Sequence, residues 1–444
     1  MSVRARRERL AARMDGTPVL LAAGAPVPRN FPANAYPFRA SSHFLYFVGR
    51  SLPRAMAWLE GERCRLFVPR PDPDDALWHG APEESDAAMA AATGGELHHL
   101  DELPRAVARA SGPVATLPAP DAATRRMQAE LLGRSVETGR FEGPDERLAE
   151  AVIALRLVHD ANAVAGLRQA AEGTAAAHRA GRAALRAGLR EHAVWAAMQA
   201  ELTARAMPPA YEPIVTVHGE VLHNEARHHV LNDGDLLLAD VGGESPGGWA
   251  ADVTRTWPVS GRASSSQRAL YEVVLEAQRA ALAAVRPGVR FRDVHLAACH
   301  RLAEGLAELG VLRGDPAERV ADGTHALFMP HGVGHLLGLD VHDMEDLGDR
   351  AGYPPGRRRD PQFGASNLRL DRDLVAGMAV TIEPGFYRIP ALLADPARVG
   401  LSTDHVDFDA LARFADVRGI RIEDDVLVTE DGAEVLSAGI PKSQ

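Results

Sequence analysis

Lysine is almost missing from this chain: among 444 residues the only one is Lys442. Schiff-base and pyridoxal chemistry, and the Walker phosphate loop, need a lysine inside the fold, so these are excluded. Cysteine is nearly as scarce. Cys64 and Cys299 are isolated and lack CxxC spacing, which excludes a disulfide framework and a thiolate zinc site and predicts two buried, inert thiols. Long apolar runs are also lacking: PVLLAAGAPVP is too short to span a bilayer. The preceding MSVRARRERLAARM is a basic amphipathic helix pattern without the apolar core and cleavage site of a secretory leader. The net charge is -11, with no basic stripe interleaved with aromatics, so a nucleic-acid footprint is excluded. These features predict an acidic cytoplasmic protein that contacts neither nucleic acid nor membrane.

The length fits about two domains. From Pro18 to Leu117, short apolar strands (19–22, 45–48 and 64–68) alternate with Pro- and Gly-rich turns and helical stretches near 87–92 and 121–132, an α/β pattern. RPDPDD, Arg70 to Asp75, reads as a turn. From Asp145 to Met207 the residues are helix formers almost without interruption, and the domain boundary falls near residue 155, at RLVHD. This divides the chain into 1–155 and 156–444. The second region repeats one plan, helices and then strands that carry acids. Strands are expected at 214–217 and 236–240, a helical pair opens with a capping box at Ser264 to Gln267 and continues after Asp293, and strands return at 380–383 and 420–428. Helices then strands, twice, predicts a pseudo-twofold α+β domain with sheets inside and helices outside.

The acids are where the chemistry lies. Asp240 ends the buried-strand run LLLA, and Asp252 opens a second strand in which Thr254 and Thr256 share its face. Antiparallel pairing about a hairpin centred near Pro246 sets Asp240 opposite Asp252, with Cβ atoms roughly 5 Å apart. Carboxylates that close repel, so one binds a proton unless a divalent cation keeps both ionised. Taken alone, the hairpin also fits a solvated turn. Its Gly243-Glu244-Ser245-Pro246-Gly247 matches the GxSxG nucleophile pattern, but that motif needs a helix after the turn, which Pro246 and two glycines oppose. Glu383 ends an apolar strand before Pro384, and Glu423 interrupts another, two residues after Arg421. Each is costly to bury unless paired or metal-bound, and a Glu423–Arg421 salt bridge is the alternative for the second.

MPHGVGHLLGLDVHD, Met329 to Asp343, holds His331, His335 and His342 among glycines. The four-residue spacing of the first two lacks the glutamate of HExxH, and Gly332 and Gly334 disfavour a helix, so strand-like or irregular backbone is expected. His98, His99, His228 and His229 lie in polar stretches and read as surface residues. Four carboxylates and one imidazole suit a hard dinuclear site, with Mn²⁺ preferred over Co²⁺ or Zn²⁺. Paired ions about 3.5–4 Å apart are hydrolase machinery.

These motifs make the chain resemble the aminopeptidase P group of the pita-bread metallopeptidase family. HNEA (His223 to Ala226), LLLADVGG, ADVTRTWPV, HGVGHLLGLDVHD, TIEPGFY and IRIEDDVLVT occur in family order, and NFPANAYPFRASSHFLYFVG and LWHGAPEE resemble its N-terminal domain. The resemblance implies a small N-terminal α/β domain before a pita-bread catalytic domain. Its implied metal ligands are Asp240, Asp252, His335, Glu383 and Glu423, with Asp252 and Glu423 bridging. It makes Glu383 a general base, His223 an oxyanion stabiliser, and His331, His342, Arg421 and Tyr387 the proline side of the pocket. The implied substrates are peptides with proline at the second position, the implied assembly a homodimer or homotetramer. A prolidase restricted to dipeptides is the runner-up, and the intact ligand set disfavours a partner-binding pseudoenzyme. Asp240 and Asp252 are twelve apart, one more than the commonest family spacing. A bulge or looser turn in GGESPGGW is expected to absorb the difference. The stretch from Met344 to Asn367 reads as a variable insertion on which substrate preference depends.

Overall fold

A computed structural model describes residues 2–72, 74, 77–78, 80 and 84–443 of the protein. The turn expected at RPDPDD and the LWHGAPEE stretch lie partly outside these residues. The chain forms two compact units, one up to Arg156 together with Asp346–Gly348, the other Leu157–Glu345 and Asp349–Gln444.

The first unit contains α1 (Val3–Met14), β1 (Val19–Ala22), α2 (Ser42–Val48), β2 (Met56–Glu60), β3 (Arg63–Val68), α3 (Asp86–Thr93), β4 (Glu96–His99), α4 (Leu103–Ala108), β5 (Ala115–Thr116), α5 (Ala122–Leu132) and α6 (Pro144–Arg156). Its sheet has the order β4-β3-β2-β1-β5, parallel at both outer pairs and antiparallel inside. Leu20, Met56, Trp58 and Phe67 build the core on it. The strand expected at 45–48 is instead the end of α2. Ser41 caps that helix by accepting the Phe44 amide, and all seven residues are buried, so the apolar run had no polar face to reveal a helical period.

The helix-forming stretch before Met207 is three helices: α6, α7 (Ala161–Ala184) and α8 (Glu191–Ala204). Asp160 caps α7 by accepting the amides of Asn162 and Ala163. Then follow β6 (Ile214–Thr216), β7 (Leu236–Asp240), β8 (Thr254–Pro258), α9 (Ser265–Ala284), α10 (Phe291–Glu308), α11 (Pro316–Ala321), β9 (Ala379–Ile382), β10 (Gly385–Tyr387), α12 (Pro390–Ala394), α13 (Phe408–Ala412), β11 (Gly419–Arg421), β12 (Asp424–Val428) and β13 (Ala433–Val435). The Ser264–Gln267 capping box is present at α9. Val194, Met198 and Leu202 of α8 pack on Val215, Leu237, Ala239 and Trp257 of the β6-β7-β8 sheet. Each such fully buried side chain contributes about 1.5–3 kcal/mol, so this packing holds β7 and its terminal Asp240 rigidly.

The run expected as one strand at 420–428 is divided into β11 and β12, in separate sheets. Ile382 pairs with Asp424 and Gly385 with Arg421, one register on both sides of the break. The interruption falls at Pro384, which has no N–H to give the ladder. From α9, the buried Gln278 amide donates to the carbonyls of Ile382 and Ile422, covering the break from behind.

Candidate metal centre

The hairpin between β7 and β8 carries two of the acids. Asp240 pairs with Thr254, not with Asp252, which corrects the expected register by two residues. A shift of two keeps the face, so both acids still point the same way, diagonally rather than directly opposed. The register continues without a bulge, through Val241 N–H to Val253 C=O at 3.0 Å and the Glu244–Ala250 bridge. The extra residue therefore sits in the closing turn, where the Ser245 amide donates to Trp249 C=O at 2.8 Å. Ser245 is buried in that turn and is not a nucleophile.

The histidine segment runs as an irregular strand beside β9, with Leu336 bridging Val380, and Glu383 N–H donating to Val333 C=O at 2.8 Å. Gly334 is required: a Cβ there would lie 1.9 Å from the Thr381 carbonyl oxygen. His335 is buried, its Nδ1 3.0 Å from Leu336 C=O. A proton on Nδ1 leaves the Nε2 lone pair facing Asp252 Oδ2 at 3.4 Å and Glu383 Oε1 at 3.7 Å, the orientation of a metal ligand.

Three overlapping trios have their ligand atoms within 4.8 Å of one another: Asp240, Asp252 and Glu423; His335, Glu383 and Glu423; Asp252, His335 and His342. Burial and mutual repulsion act on these acids together. Burial pushes Asp240 up to about 6 against the pull of Arg421, and Glu383 up to about 7. Glu423 is driven well above the carboxylate range by burial and the charges of Asp252, Glu383 and Asp240. Asp252 is the exception: burial raises it, but the hydrogen bond and charge of His335 hold it low. Buried oxygens this crowded retain protons unless cations neutralise them, and the oxygen-rich donor set with one imidazole fits two divalent ions.

Arg421 does not pair with Glu423. Its Nη2 bonds Asp240 Oδ2 at 2.5 Å, its Nε donates to Thr254 Oγ1 at 3.0 Å, and its Nη1 to the Tyr387 hydroxyl at 3.0 Å. Thr254 Oγ1 in turn lies 2.6 Å from Glu423 Oε2. Burial lowers His331 to about 4, so it is neutral. Its Nδ1 lies 2.8 Å from Gly332 C=O and its Nε2 2.9 Å from the Tyr387 hydroxyl. The Nδ1 proton thus goes to the carbonyl, and Nε2 accepts from Tyr387. Burial lowers His342 to about 3, with its ring 4.3 Å from that of His335. His223 stands at the rim of the cavity, where partial desolvation and the charge of Arg421 lower its pKa.

The site residues expected from the sequence, except Tyr387, line one cavity of about 390 Å³, joined there by Asn367, Arg359 and Arg369. Arg359 and Asn367 come from the expected insertion. Sequence reasoning missed Tyr211, whose hydroxyl donates to Asp240 Oδ1 at 2.5 Å. It sits in the irregular PPAYEP turn, where no periodicity marks an inward side chain. Of the four histidines read as surface residues only His228 is exposed; His98, His99 and His229 are half-buried, His98 stacked on Phe67 and His229 with its ring 3.0 Å from the fully buried Glu191. Cys64 and Cys299 are buried and unpaired, as expected.

The metallopeptidase family M24 model matches residues 165–430, and that of the aminopeptidase P N-terminal domain matches residues 3–115. A probable Xaa-Pro aminopeptidase of Fusarium vanettenii is 33% identical over 411 residues, covering 90% of this chain and 85% of that one. The Xaa-Pro dipeptidase of Homo sapiens is 30% identical over 462 residues, covering 98% and 90%. The structure of Pseudomonas aeruginosa aminopeptidase PepP superposes with a TM-score of 0.80 at 29% identity, covering 100% of this chain and 96% of that one. The catalytic unit accordingly has the pita-bread fold. The chain belongs to metallopeptidase family M24, as an enzyme of the aminopeptidase P group with that group's N-terminal domain.

Proposed function

We propose that the protein hydrolyses the bond between an N-terminal residue and a penultimate proline, releasing the first amino acid. The observation that carries this reading is the convergence of Asp240, Asp252, His335, Glu383 and Glu423 in overlapping trios within 4.8 Å. In this reading these five side chains would hold two divalent cations, Mn²⁺ by preference for an oxygen-rich set, with Asp252 and Glu423 available to both. Bound ions supply a water that is nucleophilic at neutral pH and stabilise the charge developing on the scissile carbonyl.

The remaining chemistry falls to the chain. A prolyl nitrogen carries no hydrogen, so its departure depends on a proton delivered to it. Glu383, lining the cavity with its carboxylate beside His335, takes the proton from the attacking water and returns it to that nitrogen. His223 stabilises the oxyanion from the rim. Neutral His331, fixed by Tyr387, lines the proline side with Arg421 and His342. The free amine of the substrate lies against Asp240, which favours exopeptidase action. Residues 1–155 serve as the N-terminal domain and 156–444 as the catalytic domain. The exposed apolar side chains Val27, Phe31 and Tyr36 favour assembly as a homodimer or homotetramer. Unpaired Cys64 and Cys299 suit a reducing, cytoplasmic setting.

A second reading, dipeptidase action, is favoured by one feature: Arg369, whose Nη1 bonds Glu345, lines the cavity, where its guanidinium can also pair with a free carboxylate. Turnover of an Xaa-Pro-Xaa tripeptide and an Xaa-Pro dipeptide with Mn²⁺ separates the two. The aminopeptidase reading predicts cleavage of the tripeptide; cleavage of the dipeptide alone establishes the second reading, and cleavage of neither removes both.

A further inference from the structure

Behind Glu423, on the side away from the cavity, lies a buried charged assembly that the proposed chemistry does not use. Arg255 of β8 is fully buried, and every guanidinium nitrogen is engaged. Nη1 donates to the carbonyl of Glu423 at 2.6 Å and to its neighbour Thr254 at 2.9 Å. Nη2 reaches Asp424 Oδ1 at 2.8 Å and the Ile440 carbonyl at 2.8 Å, and Nε reaches the carbonyls of Ile440 and Pro441 at 3.3 Å. Asp424, also fully buried, accepts from Ser437 Oγ at 2.7 Å and Gln278 Nε2 at 2.9 Å, and it pairs with Lys442.

The segment from Ser437 to Lys442 is therefore bound at several points. Ile440 fills an apolar slot with Ala175 and Val253, the residue between Asp252 and Thr254. Tyr271 donates to the Lys442 carbonyl at 2.5 Å. Ser437 Oγ lies 3.2 Å from the amide of Asp425, whose Oδ1 accepts the Asp252 amide at 3.0 Å. One short segment thus bears on the backbone at two of the three residues shared between the trios, Asp252 and Glu423.

We infer that Lys442, the only lysine of the chain, is a positioning residue: it fastens the 437–442 segment to Asp424, and through Arg255 that segment sets the backbone carrying Glu423. Lys442 touches neither substrate nor metal. Groups that orient a metal ligand from behind change affinity or activity by roughly 10–100-fold when removed. Removing Arg255 or Asp424 would leave a buried charge unpaired and threaten folding. Lys442 is partly exposed, so its replacement by methionine keeps the stem and deletes only the ammonium.

The inference rests on the dinuclear reading, and its test separates the two. Mn²⁺ binding to the full chain is followed through the electron paramagnetic resonance signal of free Mn²⁺, alongside kcat, KM and the melting temperature of the metal-free protein. For Lys442→Met the expected result is a loss of roughly tenfold in affinity for the more weakly held ion. We expect kcat to fall with KM little changed, the metal-free melting temperature to hold, and Lys442→Arg to recover most of the loss. Unchanged Mn²⁺ affinity in Lys442→Met overturns the inference, as does a loss that tracks melting temperature and is not recovered by Lys442→Arg. An unaltered protein that takes up no Mn²⁺ overturns the dinuclear reading itself, and this inference with it.

Discussion

Glu383 and Glu423 face each other across one antiparallel register, the step between the Ile382–Asp424 and Gly385–Arg421 pairs. Directly opposed carboxylates in a buried ladder are destabilising, and the ladder breaks where they stand. A pair tolerated at such cost has a use that ordinary packing does not supply.

Replacing one member should therefore move stability in opposite directions with and without metal. Glu423→Gln removes from the metal-free protein the cost of burying a carboxyl that must take up a proton to stay in this cluster, so the melting temperature near neutral pH is expected to rise. The Mn²⁺-loaded protein should gain less from the metal and lose activity. Melting curves with EDTA and with Mn²⁺ check both signs; a variant destabilised equally in the two conditions would contradict the account.

Gly334→Ala tests the approach of the histidine segment to β9. The added methyl would meet the Thr381 carbonyl at 1.9 Å, so backbone must shift. Overpacking of this kind costs about 1–3 kcal/mol, and here it displaces His335 as well. Urea unfolding should show the destabilisation, and metal analysis a lowered Mn²⁺ content in the protein that remains folded.

Tyr387→Phe keeps the ring and deletes the hydroxyl that joins Arg421 to His331. With both partners left unsatisfied, kcat/KM for an Xaa-Pro-Xaa peptide is expected to fall about tenfold, equivalent to about 1.4 kcal/mol. Mn²⁺ stoichiometry should stay the same, because no ligand is touched.

Acid stability depends on histidines outside the centre. Burial lowers His295 to about 3, and its ring nitrogen nearest Cys299 lies 3.5 Å from Sγ. Its unfolded counterpart takes a proton below about 6.5, whereas the folded form does not until about 3. Its contribution to stability is thus complete above pH 6.5 and declines as pH falls toward 3. Between pH 6.5 and 5 the loss is about 2 kcal/mol. His295→Leu should lose less stability than the parent over that interval, as measured by urea unfolding at the two pH values.

Much of the centre was legible in the sequence because its acids sit where acids are expensive. Asp240 at the end of LLLA, Glu383 after AVTI and Glu423 within an apolar strand each break a hydrophobic pattern, and the glycines around His335 announced close backbone approach. Other features lay outside what such patterns carry. The hairpin register was misjudged by two residues because turn length, unlike strand period, leaves no periodic trace. Tyr211 lies in an irregular turn, and α2 is buried on every side, so neither shows a face. The alternative that set Arg421 against Glu423 followed proximity in sequence, whereas the fold brings Arg421 to Asp240.

The central claim is that Asp240, Asp252, His335, Glu383 and Glu423 enclose a pair of cations. Anomalous diffraction from crystals grown with Mn²⁺ tests it most directly. The account predicts two manganese peaks inside the cavity, each in contact with members of this set and both touching Asp252 and Glu423. No peak there, or a single peak that leaves either shared acid out, would contradict it.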